Sequence, residues 1–146
     1  MAAEGEFPKS DGDKLYASEV NAFEDKLDTP IFSDTTDRTN AGTSLATVRT
    51  LTIGGSFSGA KVIFLCVKGK VVTGGATATF YVASDESGAL HNNSFPWAPG
   101  TNYVSIPILV VDGQAIYLRT AGSGAGTGTD EIYVYTSNQS VTVTGS

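Results

Sequence analysis

The chain has 146 residues, 40% of them hydrophobic, with 17 glycines and a formal net charge of −6. That is enough for one domain with one sizeable core. The negative charge excludes a protein that works by gripping a nucleic-acid backbone, and it favours a cationic surface or a positively charged protein as partner.

Residues 1–12 are polar and acidic, and Gly5, Pro8 and Gly12 discourage regular structure there. No basic-then-apolar leader opens the chain and no apolar run reaches membrane-spanning length, so no membrane partner is expected; a single cysteine, Cys66, allows no intrachain disulfide, so synthesis in a reducing cytoplasm is expected. Val20, Phe23 and Leu27 then fall at i, i+3 and i+7, one apolar stripe on a short helix. Ser18 is placed to cap its start, and Asp28-Thr29-Pro30 ends it, because the residue before a proline avoids the helical region. So short a helix is marginal alone in water, so its stripe needs a surface to dock on. Val20, Phe23 and Leu27 must therefore dock either on their own domain or on another protein. Ile31–Ser44 reads as a polar connector, which divides the chain into an arm, 1–44, and a β-domain, 45–146.

From Leu45 onward strand signals recur at the spacing of a sandwich or barrel. The expected strands are Leu45–Ile53, Lys61–Lys68, Ala76–Ser84, Tyr103–Val111, Ala115–Ala121, Glu131–Thr136 and Ser140–Thr144, with a further short one around Ile31–Ser33. Alternation assigns the buried faces: Val104, Ile106, Ile108 and Val110; Ile116 and Leu118; Phe80 and Val82; Ile132 and Val134; Val141 and Val143. "VIFLCV", Val62–Val67, is apolar on both faces, which predicts a central strand or one covered by the helix or another subunit. Pro107 inside its strand predicts an edge position or a bulge, and Asp112-Gly113 between apolar runs predicts a hairpin. The expected fold is an all-β antiparallel sandwich, a jelly roll, with a short helix-containing N-terminal arm.

Residues able to do chemistry do not converge. The one histidine, His91, has no second histidine to pair with for a metal or a triad. Asp34/Asp37, Asp85/Glu86 and Asp130/Glu131 lack the alternating ligands of a calcium loop. "GSGAGTG", Gly122–Gly128, lacks the Lys-Ser/Thr and helix of a phosphate loop, so it reads as an inter-strand loop. Cys66, in "VIFLCV", reads as a small buried hydrophobe. No catalytic residue, metal site or cofactor is expected. The long segment Asp85–Asn102 reads as a loop carrying Phe95 and the single tryptophan, Trp97. These two rings could meet a glycan or a neighbouring subunit, or could cap the sandwich.

"GDKLYASEVNAF", Gly12–Phe23, resembles a segment near the start of many tailed-bacteriophage virion proteins, running Gly-Asp-x-Leu-Thr-Ala-x-Asp/Glu-Val/Phe-Asn. Gly12, Asp13, Leu15, Ala17, Glu19, Val20 and Asn21 match it. Tyr16 departs from it, standing where the usual threonine would cap the helix. The resemblance implies a non-enzymatic virion structural protein: a capsid decoration protein, head fibre or tail accessory protein. It also implies an N-terminal attachment segment with Leu15, Val20, Phe23 and Leu27 as its attachment or assembly residues, self-association as a homotrimer, and major capsid or tail proteins as partners. The other reading is a tail- or fibre-associated glycan- or receptor-binding module.

Overall fold

The structure is a computed structural model that describes residues 17–18, 28–72, 77–84, 93–122, 126–138 and 140–146. Ten strands are described: β1 Phe32–Asp34, β2 Arg38–Asn40, β3 Ala46–Gly54, β4 Lys61–Val71, β5 Ala78–Ala83, β6 Asn93–Trp97, β7 Gly100–Val110, β8 Ala115–Gly122, β9 Thr127–Tyr135 and β10 Thr142–Gly145. All pairings are antiparallel. One sheet runs β1-β9-β4-β7, with β2 also pairing β9; the other runs β10-β3-β8-β5-β6.

The inward faces are the ones alternation assigns. Ile63, Leu65, Val67, Val110, Ile132 and Val134 from the first sheet meet Leu51, Ile53, Phe80, Ile116, Leu118 and Val143 from the second, all buried. Two facing layers with one shared core are the minimum that hides one side of each sheet from water.

β9, β8, β7 and β6 pair in turn with β2, β3, β4 and β5. The chain is thus one long hairpin folded at β5–β6, whose paired arms lie alternately in one sheet and the other. This nesting corrects the reading of Asp112-Gly113. The turn forms, with Gly113 at φ 80 and Gln114 N–H donating to Val111 O, but it hands the chain from β7 to β8 in the opposite sheet. No hairpin follows because the turn backbone pairs with Ile53 at the end of β3: Gly113 N–H donates to Ile53 O, and Ile53 N–H to Gln114 O. Pro107 lies on β7, an edge strand in unbroken register with β4, so the edge position holds and no bulge is needed.

Four further expectations change. The segment Asp85–Asn102 is not one loop, because Asn93–Trp97 pairs with β5 from Val82 to Ala78, and Asn102 then ties the turn by donating to Ala98 O and Gly100 O. β9 begins within the glycine-rich run, at Thr127; Gly128 lies so close to Arg38 O that any Cβ would collide with it. Phe32–Asn40 joins the first sheet through β9, so the boundary expected at residue 44 falls inside the sandwich. Ala17 and Ser18 are both helical, so Ser18 stands inside the helix and does not cap it. Leu15, Val20, Phe23 and Leu27 lie outside the described residues.

Candidate interaction surface

Two polar knots hold β1 and β2 in place. Asp34 points inward beside Ile132, and its carboxylate takes the Arg38 Nε hydrogen bond at 2.7 Å and the Thr36 N–H at 3.0 Å. Across the core, Arg49 Nε stands 3.0 Å from the same oxygen, angled poorly for a hydrogen bond, so it acts through its charge. Arg49 shares the inward face of β3 with Leu51 and Ile53, and its guanidinium also covers the Phe32 ring at 5.7 Å. Burial alone would push the Asp34 carboxyl up; the Arg38 and Thr36 hydrogen bonds and the Arg49 charge outweigh it and leave the group below its ordinary value. Asn40 is the second knot: its amide donates to Ser44 O and Thr120 O and accepts from Gly42 N–H.

The rings expected to meet a glycan or subunit lie in or against the core. Trp97 is 3% exposed and stacks on Phe80, with centroids 4.7 Å apart and planes at 2°. Phe95 is half-buried and pairs with Phe80 across β5–β6. Neither face of the indole is open to a sugar. Trp97 is a core residue of the sandwich.

Asp37, Asp130 and Glu131 are each engaged by a lysine. Asp37 and Asp130 both meet Lys70 Nζ, the latter at 3.2 Å. Glu131 meets Lys68 Nζ at 2.9 Å. Among the described residues no three of His, Cys, Asp and Glu gather as metal ligands.

The exposed surface worth attention is the outer face of β9, β4 and β7, which strand register lays out as rows. Tyr103, Lys68 and Glu131 form one row; Ser105, Cys66 and Tyr133 the next; Pro107, Phe64 and Tyr135 the third; Leu109 and Val62 the fourth. Val62 is 44% exposed, Phe64 48%, Leu109 66% and Tyr103 76%. Val62, Phe64 and Leu109 adjoin one another and expose on the order of 300 Å² of apolar surface, a patch size that is often functional, while Tyr103 stands apart from them beyond the Ser105–Cys66–Tyr133 row. "VIFLCV" is thus central in its sheet, and its second apolar face is left open. Cys66 is half-buried on that face, with its Sγ 3.0 Å from Ser105 Oγ, and so is not the core residue expected.

The face divides chemically. The third and fourth rows are apolar apart from the Tyr135 hydroxyl. The first two enclose a shallow hollow of about 240 Å³ between Tyr103 and Tyr133, floored by Cys66, Lys68, Ser105 and Glu131. Lys68 Nζ donates to Glu131 Oε1 and the Tyr133 hydroxyl donates to Oε2 at 3.1 Å. The Lys68 hydrogen bond, then that of Tyr133, holds the Glu131 carboxyl below its ordinary range; the same contacts raise Lys68 and Tyr133. A second hollow, of about 380 Å³, opens between the sheets where β5 and β6 face β7, with walls of Val82, Ile108 and Ile116.

The outer face could have been suspected from "VIFLCV" and the odd-numbered residues of β7. What could not be read was which rows would stay uncovered. Comparison of the chain with protein-family models, curated proteins and solved structures returns no match.

Proposed function

We propose that the chain is a non-enzymatic virion structural protein of a tailed bacteriophage, a jelly-roll module that self-associates and attaches to the particle surface as a decoration or stabilising protein. The observation that carries this reading is the open apolar half of the outer face: Val62, Phe64, Pro107 and Leu109, side by side on β4 and β7. Burying such a patch between copies is favourable in proportion to its area, and closed cyclic symmetry, here a homotrimer, buries it without leaving open ends. Pairing by faces suits β7, because Pro107 removes a donor from the strand and obstructs growth by edge-to-edge addition.

Two further features support the reading. The strand order, with paired arms alternating between sheets, is that expected of a jelly roll. Gly12–Phe23 resembles the attachment segment of phage virion proteins. The arm would carry attachment to major capsid or tail proteins, and the open face would carry assembly.

Light scattering on the full chain at micromolar concentration is the test. A mass of three subunits is expected, falling to one subunit in Phe64→Lys/Leu109→Lys with the fold retained by circular dichroism. A monomeric wild type would sink the assembly reading. Loss of particle binding without residues 1–27, with the trimer intact, would assign attachment to the arm. The second reading, a glycan- or receptor-binding module, is favoured by the Tyr103–Tyr133 hollow.

A further inference from the structure

The Tyr103–Tyr133 hollow differs from the apolar rows beside it in being built for hydroxyl groups. Tyr103 is the most exposed large side chain among the described residues and directly flanks Lys68 across the β4–β7 ladder. An exposed tyrosine gives an apolar ring face to stack on and a polar tip at its rim. The floor offers donors and acceptors together. Lys68 has three N–H donors, one of them given to Glu131 Oε1. Each Glu131 oxygen accepts one bond from within the protein, leaving lone pairs on both. Ser105 Oγ, 3.0 Å from Cys66 Sγ, can donate or accept. A sugar hydroxyl likewise donates and accepts, and the carbon-bound hydrogens on one side of a pyranose make a flat apolar face.

Charge narrows the choice. Lys68 and Lys70 stand against Glu131, Asp130 and Asp37, so the region carries one excess negative charge within a chain of net charge −6. An acidic sugar, a phosphate or a nucleic acid would meet net repulsion there. A neutral ring would not. The volume of about 240 Å³ suits one such ring and falls a little below the range of pockets for drug-sized ligands.

We propose that this hollow is a binding site for a single neutral hexopyranose unit, with Tyr103 as the stacking platform, Tyr133 as the opposite wall, and Lys68, Glu131 and Ser105 as the hydrogen-bonding floor. The site is independent of the assembly reading, because the apolar rows of Phe64 and Leu109 contribute nothing to it.

The test is titration of the full-length protein with glucose, galactose, mannose and N-acetylglucosamine, followed by saturation-transfer NMR, with N-acetylneuraminic acid as the acidic control. At least one neutral sugar should bind saturably and the acidic one should not. Tyr103→Ala should weaken binding by about tenfold or more, a loss of ~1.4 kcal/mol, and Tyr103→Phe should retain it, with subunit mass and melting temperature unchanged in both. Phe64→Lys/Leu109→Lys should keep sugar binding even if it dissociates the oligomer, which separates failure of this site from failure of the assembly reading. No binding of any neutral sugar, binding that survives Tyr103→Ala, or equal binding of the acidic sugar would each overturn the proposal. A Tyr103→Ala protein changed only in subunit mass would do the same and make Tyr103 a subunit contact.

Discussion

Replacing Trp97 by alanine should destabilise the sandwich more than any change on its outer faces. The indole is 3% exposed, lies parallel to Phe80 at 4.7 Å, and its six-membered edge rests over Gly69 of β4. Truncating a buried aromatic to alanine typically costs about 3–5 kcal/mol, transfer and cavity terms together. The wild type carries a compensating penalty: the indole Nε1 is buried with no hydrogen-bond partner among the described residues, and relief of that desolvation returns about 1 kcal/mol. The net expectation is a loss of roughly 2–4 kcal/mol, or roughly 6–12 °C in melting temperature for a chain of this length. Far-UV circular dichroism is the assay, because the change removes the only tryptophan, and both proteins must be compared at one concentration. Trp97→Phe keeps the stack on Phe80 and loses the unpaired N–H, so it should cost less than half as much. Gly69→Ala attacks the same contact from the other side: a Cβ there would collide with the indole edge and with Gly128 O, so it too should destabilise. A Trp97→Ala protein melting within about 2 °C of wild type would refute the packing argument.

Asp34→Ala should cost about 3–5 kcal/mol at neutral pH, because it strands Arg49 without its carboxylate partner. The Asp34 carboxyl is held below its ordinary value, so its contribution is full above the unfolded value near 3.8 and is lost as pH falls through the lower, folded one. Urea titrations of wild type and variant should therefore differ by a constant amount at neutral pH and converge only in strong acid; a gap that closes by pH 6 would contradict this. Removing residues 1–27 should leave the melting temperature of the sandwich nearly unchanged, whereas removing residues 1–40 takes away β1, β2, Asp34 and Asn40 and should unfold it. Equal stability of the two truncations by circular dichroism would show that β1 and β2 are dispensable.

Which side of each strand faces the core was legible in the sequence. Val104 and Val110, Ile116 and Leu118, Ile132 and Val134 are all buried as their spacing requires, since successive residues of any extended chain point to opposite faces whatever the strand pairs with. The turn at Asp112-Gly113 was legible for the same local reason, the positive φ that glycine tolerates. Partners and sheets were not. β6 was hidden because Pro96 and a five-residue length look like a loop; it is a strand because β5 has a free edge that accepts it. Trp97 was open to either a binding or a packing role until that pairing set it beside Phe80 and over a glycine of the opposite sheet. Asp34 and Arg49 are 15 positions apart and carry no motif; both lie on inward faces, and only closure of one sheet on the other brings them together. The candidate surface has the same origin. Val62, Phe64 and Leu109 are as apolar as their buried neighbours, and they are exposed because a two-layer sandwich covers one face of each sheet and leaves the other to solvent or to a partner.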